Sequence, residues 1–251
     1  MNIKQELANK ANYGSSRATS KIKYLVYHFT ANDGDTDENN GKYFANNVVK
    51  ASAHYFVDDD SVTQSVPDNY IAYSVGGKKY SNCSTTGGGT LYGKCTNTNS
   101  LSIEICDDVK NGVIYPSAKT IQNALELGEY LMKKYSIPKE NVIRHFDVNG
   151  KLCPAYWCGT AEKNAKWKSE FWNKLGGNTP TKVQTTTTFT PYLVRINASS
   201  LNVRKGVGTS YPVATTVKKG QVYTIVEERN GWGRLRSGAG WISLKYTTRL
   251  K

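Results

Sequence analysis

NSLSIEICD, residues 99–107, sets the architecture. Side chains alternate between the two faces of a strand, so Leu101, Ile103 and Ile105 fall on one side and Ser102, Glu104 and Cys106 on the other. On either side of this strand the sequence offers more of the same kind. KYLVYHF (23–29) is a short apolar run of strand-forming residues, and SAHYFVDDDSVTQSV (52–66) predicts a hairpin with Asp58, Asp59 and Asp60 at its turn. NVIRH (141–145) predicts a further strand. Ile121, Leu125, Gly128, Met132 and Tyr135 recur at helical spacing, with Pro138 just beyond the helix end. A last helix, roughly 161–175, places Trp167, Phe171 and Leu175 on one face. Strands and helices that alternate in this way predict an α/β domain over residues 1–175, with a central mixed sheet flanked by helices.

The composition then changes. GGNTPTKVQTTTTFT, within residues 176–190, is rich in Gly, Thr and Pro, lacks helix or strand periodicity, and is expected to be a linker. Beyond it, SLNVRKG, YPVATTVKKG, QVYTIVEERNG, WGRLRSG and AGWISLKY are short strands punctuated by glycine. They predict a small all-β barrel over 191–251.

Bulk properties narrow the function. With 38% hydrophobic and 11% aromatic residues, the 251-residue chain has the composition of a folded protein. No apolar run approaches the roughly 20 residues of a membrane span. MNIKQELANKANYGSS has no signal-peptide pattern, so synthesis in the cytoplasm without a signal peptide is expected. The net charge of +13 is uneven: residues 1–175 carry 21 Lys and Arg against 18 Asp and Glu, whereas 176–251 carry 12 against 2. The natural partner of the C-terminal part is a polyanion: nucleic acid, anionic lipid or an anionic wall polymer. No nucleic-acid motif accompanies the charge, and a nucleic-acid partner is not expected. Five cysteines at irregular spacing form no disulfide framework; the pairing of Cys83 with Cys95 across STTGGGTLYGK is left open.

The chain has only three histidines, and RHFDVNGKLCP (144–154) sets one of them, His145, eight residues before Cys153 with Lys151 between. Two histidines and a cysteine are a donor set for zinc, with a fourth position left for water. His28, at the end of KYLVYHFT, is the candidate third ligand. Residue types alone equally allow ordinary core or surface side chains at each position.

VYHFTAND (26–33), SAHYFVDDD (52–60), SLSIEICDD (100–108) and RHFDVNGKLCP, in this order and near this spacing, resemble the zinc-dependent N-acetylmuramoyl-L-alanine amidases, whose fold is shared with peptidoglycan recognition proteins. The resemblance implies one zinc ion bound by His28, His145 and Cys153. It implies Glu104 as catalytic acid/base and Lys151 as the oxyanion-stabilising group, acting on the amide between N-acetylmuramic acid and L-alanine of peptidoglycan. His54 sits where the family often has a histidine and is expected to pack or hydrogen-bond beside the site. Some relatives carry a catalytic tyrosine directly before it; here that residue is Ala53, and Tyr55 faces the other way, so the acid/base work is expected to rest on Glu104. The glycine-rich stretch 76–98 either borders the cleft or is a bare surface loop.

Residues 191–251 resemble bacterial SH3-like wall-binding domains, with Tyr211, Trp232 and Trp241 as candidate stacking or core residues and basic charge suited to anionic wall polymers. With the missing signal-peptide pattern, the two resemblances point to a phage or prophage endolysin that acts on the Gram-positive host wall after release through a separate pore, and a monomer is expected. A bacterial autolysin of the same chemistry and a non-catalytic peptidoglycan-binding protein are the alternatives.

Overall fold

In the computed structural model, which describes residues 3–32, 34–110, 112–176, 191–229 and 231–250, the chain folds as two units on either side of residues 177–190. Apart from Gly176, the segment expected as a linker therefore lies outside the described residues. The N-terminal unit contains β1 (Ile3–Gln5), β2 (Tyr13–Ser16), β3 (Tyr24–Phe29), α1 (Asp37–Asn46), β4 (Tyr55–Val57), β5 (Val62–Gln64), β6 (Tyr70–Ala72) and α2 (Cys83–Thr86). It continues with β7 (Ser100–Ile105), β8 (Asp108–Lys110), β9 (Val113–Tyr115), α3 (Ala118–Tyr135), β10 (Val142–Arg144), α4 (His145–Asn149) and α5 (Ala161–Lys166). Six strands form one mixed sheet in the order β1-β5-β4-β7-β3-β10. Neighbours from β4 to β10 are parallel, and β4 and β5 form the expected antiparallel hairpin. This is the mixed sheet flanked by helices that the alternation predicts.

The odd residues of β3 and β7, namely Leu25, Tyr27, Leu101, Ile103 and Ile105, form one core with α3. All five are fully buried, each worth about 1.5–3 kcal/mol of transfer free energy if aliphatic. α3 forms where the helical spacing of Ile121, Leu125, Gly128, Met132 and Tyr135 predicts it. Its buried seam is Ala124, Leu127, Gly128 and Leu131, while Ile121, Leu125, Met132 and Tyr135 flank it half-buried. The sheet packs against the small residues of this seam, and the contact is tight at Gly128. There a Cβ would run into the Tyr27 hydroxyl, which donates to the Ala124 carbonyl at 2.9 Å. Ser117 caps the helix start through Thr120 N, and Ser136 ends it with a left-handed residue.

Two elements depart from expectation. The strand over 141–145 stops at Arg144, and His145 opens α4, whose start is fixed by Asp147 accepting from the Arg144 backbone and guanidinium. The last helix is not uniform: α5 widens to a π-turn at Trp167–Phe171 and tightens to a 3-10 turn at Trp172–Lys174. The change of pitch lets Trp167 and Phe171 stack on each other, 5.0 Å apart, while both meet Trp157 and Tyr27. All five cysteines are free thiols; Cys83 donates to the Asn149 carbonyl, and Cys95 is buried with Val26 and Ile143.

The C-terminal unit is a seven-stranded antiparallel sheet built from β11 (Tyr192–Ile196), β12 (Ser200–Arg204), β13 (Val213–Lys218), β14 (Val222–Arg229), β15 (Trp232–Leu235), β16 (Trp241–Ser243) and β17 (Thr247–Arg249). Val194, Ile196, Val203, Ile225, Leu235 and Ile242 make its core. Trp241 is buried, with the Arg229 guanidinium over its ring; Trp232 and Tyr211 are half-buried.

Candidate active site

Because odd residues of β3 and β7 face α3, the even ones face the opposite side of the sheet. His28 and Glu104 are register partners there. His145 follows the end of β10, the strand on the other side of β3. All three residues thus sit at the C-terminal ends of adjacent parallel strands, where α/β sheets habitually place ligands. Cys153 reaches the same point by a reversal: α4 ends at Gly150 in the left-handed region (φ 88°), and Phe146 N donates to the Cys153 carbonyl at 3.0 Å. The hydrogen bond closes an eight-residue loop that brings His145 and Cys153 side by side.

The ligand atoms of His28, His145 and Cys153 all lie within 4.8 Å of one another, and all three residues are buried. The two imidazoles meet edge to face with centroids 4.7 Å apart. His28 Nε2 and both ring nitrogens of His145 are buried and have no hydrogen-bond partner among the described residues. Orphaned buried nitrogens are costly unless something else takes them up. Converging on a sulfur, they fit a metal ion, and an N, N, S set with space for a fourth ligand is a donor set that zinc favours. Burial, then repulsion from His145 and Lys151, holds His28 far below the usual imidazole range; burial and Lys151 hold His145 down to about 3. Both rings therefore keep a free lone pair at ordinary pH. Burial, then the nearby Glu104 carboxylate, pushes the Cys153 thiol well above its usual value.

Glu104 keeps 21% of its side chain exposed, with Oε1 3.8 Å from His28 Nδ1 and Oε2 buried without a hydrogen-bond partner among the described residues. Burial pushes its carboxyl up to about 8, helped by Asp107 and Asp35 and opposed by Lys151. Lys151 is exposed and lines a cleft of about 560 Å³ together with His145 and Asn149. The structure therefore brings all five sequence-identified residues to one place, three as a buried cluster and two beside it.

His54 stands outside the cluster. Its Nδ1 accepts from Ser102 N at 3.0 Å, so Nε2 carries the proton, 3.1 Å from the Tyr70 carbonyl and from Arg17 Nη2. Burial, with Arg17 beside it, depresses its pKa to about 3. The ring pins β7 two residues before Glu104. Tyr55 faces the other side, its hydroxyl donating to Asp68 at 2.6 Å.

Asn149 is the participant that residue-type reasoning misses. Its Oδ1 accepts from Lys151 N at 3.0 Å, its Nδ2 donates to Gly76 O at 3.3 Å, and its carbonyl accepts from Tyr80 N at 2.8 Å. It thereby clamps residues 76–80 and the Lys151 turn to the same point. The available signal was the Asn-Gly pair at 149–150, which marks a turn but not a clamp. Residues 76–80 do wall the cleft. A second cluster of Asp37, Glu38, Asp58 and Asp60 lies under α1. Its oxygens are engaged by the Ser61 and Thr63 hydroxyls and by backbone N–H groups of residues 37, 60 and 61, which makes it a knot joining α1 to the hairpin.

The sequence model of the family described as N-acetylmuramoyl-L-alanine amidase matches residues 18–156, and that of the bacterial SH3 domain matches 199–248. The N-acetylmuramoyl-L-alanine amidase CwlL of Bacillus licheniformis is 32% identical over 171 residues, which are 66% of this chain and 45% of that protein. The solved structure of the PlyG catalytic domain is 29% identical with a TM-score of 0.54, covering 74% of this chain and all of that one. For the catalytic domain of XlyA the identity is 27% and the TM-score 0.52, with 70% of this chain and all of that one covered. The chain spans about half the length of the curated relatives it matches.

Proposed function

The chain belongs to the N-acetylmuramoyl-L-alanine amidase family, and from that premise we propose that it is a zinc hydrolase that cuts the amide between N-acetylmuramic acid and L-alanine in peptidoglycan. The convergence of His28, His145 and Cys153 beside Glu104, at the strand ends, supports this reading most strongly. Held by those three residues, zinc would supply Lewis acidity toward the amide carbonyl and toward water. The remaining chemistry belongs to the chain. Glu104, as carboxylate, accepts a proton from the attacking water at the exposed part of its side chain and returns it to the departing alanine nitrogen. Burial raises its carboxyl to about 8 in the metal-free site, and the charge of a bound zinc would lower it toward the carboxylate that the first half of the exchange needs. Lys151 sets a positive charge at the cleft wall, where negative charge develops on the carbonyl oxygen. Buried neutral imidazoles keep protons out of the ligand positions.

The C-terminal unit would hold the enzyme on the wall. Its basic charge favours anionic wall polymers through an attraction that salt weakens. The enzyme then works at the cell wall, as a lytic amidase of the phage-endolysin or autolysin kind.

Purified Gram-positive sacculi, incubated with and without a zinc chelator, test the proposal. New N-terminal alanine without new reducing sugar is expected, abolished by chelation and restored by zinc. Wall sedimentation of the protein with no released product would leave a binding protein and remove the roles given to Glu104 and Lys151.

A further inference from the structure

The cleft beside Lys151 is one-sided in charge. Lys50, Lys78, Lys79 and Lys151 line it, and no Asp or Glu does. Among the described residues none of these four ammonium groups is within ion-pair distance of a carboxylate, whereas Lys4, Lys134 and Lys166 each have one. Tyr73 and Tyr80 stand in the same wall, 38% and 49% exposed. The wall is also held in place. Asn149 ties both ends of 76–80, and a Cβ on Gly89 would meet Lys79 Cε at 2.8 Å, so the stem of Lys79 lies across the backbone there. Lys151 faces Glu104, while Lys78 and Lys79 stand on the braced segment with no carboxylate within ion-pair distance among the described residues, a receptor for negative charge.

Resting on the amidase reading, we infer that this cleft selects stem peptides by a free carboxylate next to the scissile bond, with Lys78 and Lys79 as specificity-determining residues. The second stem residue, D-glutamate, is linked through its γ-carboxyl, which leaves its α-carboxyl either free or amidated. Consecutive residues lie about 3.8 Å apart, so a group one residue beyond the cut still falls within a cleft of about 560 Å³ that also contains His145 and Lys151. A free acid there meets the Lys78 and Lys79 ammonium groups, which have no carboxylate within ion-pair distance among the described residues. An amidated residue gains none of that attraction.

Full-length zinc-loaded protein carrying Glu104→Gln, which prevents turnover, is titrated calorimetrically with N-acetylmuramoyl-L-alanyl-D-glutamate γ-methylamide and with its α-amidated D-isoglutamine counterpart, also a γ-methylamide, so that the two ligands differ only at the α-carboxyl. At low salt the acid binds about tenfold more tightly, since two partly exposed pairs contribute about three- to fivefold each. The ratio collapses toward one in Lys78→Gln/Lys79→Gln and inverts in Lys78→Glu/Lys79→Glu; circular dichroism establishes that the variants are folded. Equal binding of the two ligands, an unchanged ratio in the double variant, or no binding of either ligand overturns the inference. Hydrolysis by the wild-type chain is read separately. Cleavage of both ligands without a binding preference leaves the amidase and removes the selectivity. A charge-dependent binding ratio without cleavage leaves the selectivity and removes the amidase.

Discussion

His28 and Glu104 lie directly opposite each other on adjacent parallel strands, with Nδ1 3.8 Å from Oε1. One belongs to the buried donor cluster and the other stands next to it with a partly exposed carboxylate. Replacing Glu104 by Gln keeps the shape and removes the base. The turnover number is expected to fall about 10²–10⁴-fold, with zinc stoichiometry by atomic absorption unchanged. Loss of zinc along with activity would make Glu104 a part of the metal site instead.

Proton counting tests the electrostatics of the cluster. In the metal-free protein Cys153 and, below about pH 8, Glu104 hold protons, while both imidazoles are already neutral. With zinc held there, the Cys153 thiol would ionise and the Glu104 carboxyl would drop in pKa. Zinc binding is therefore expected to release about two protons at pH 6.5. The share that comes from Glu104 shrinks by pH 8.5, as rising pH ionises it before the metal arrives, so Glu104→Gln lowers the count more at pH 6.5 than at pH 8.5. Calorimetry in buffers of different ionisation heat measures the count, and Cys153→Ser lowers it by about one. A count at pH 6.5 that Glu104→Gln leaves unchanged would mean that Glu104 gives up no proton when the metal binds.

Asn149→Ala removes two side-chain hydrogen bonds, to the Gly76 carbonyl and from Lys151 N, and leaves the backbone bond from Tyr80 N on a loosened turn. Stability should drop by about 1–3 kcal/mol in urea denaturation. Catalytic efficiency should fall further than that loss explains, through KM, because the cleft wall and the Lys151 turn lose their common support. Wild-type kinetics in the variant would reduce Asn149 to a structural residue.

Gly128→Ala tests the contact between α3 and the sheet. Helix propensity alone predicts a gain of about 1 kcal/mol. The clash with the Tyr27 hydroxyl predicts a net loss of about 1–3 kcal/mol instead. Combining it with Tyr27→Phe, which deletes the clashing oxygen, should recover part of the loss, and the double-mutant cycle reads the coupling directly. Additive losses would place the strain elsewhere.

Local patterns carried the sheet and the site's residue types into view, because alternation in 99–107 and the short loop from His145 to Cys153 are encoded by neighbours in sequence. What escaped depended on partners far along the chain. The seam of α3 is turned toward Ala124 and Leu127 by a sheet surface that the helix's own periodicity does not contain. His145 leaves its strand because Asp147 turns back on Arg144, a bond that a strand-forming run of Val-Ile-Arg conceals. In the C-terminal unit, β11 and β17 pair with each other through residues about fifty apart, beyond the span of any hairpin signal. Asn149 had only a turn signature, since its clamp on residues 76 and 80 comes from tertiary folding.

The placement of His28 at an even position of β3 has one more consequence. A slip of β3 by a single residue against β7 would swing Tyr27 into the cleft and drive His28 into the apolar core beneath α3. A misaligned chain could keep much of its strand and helix content and still have no triad. Metal uptake would then serve as an assay of correct strand alignment, separating native molecules from near-native misfolds that circular dichroism cannot distinguish.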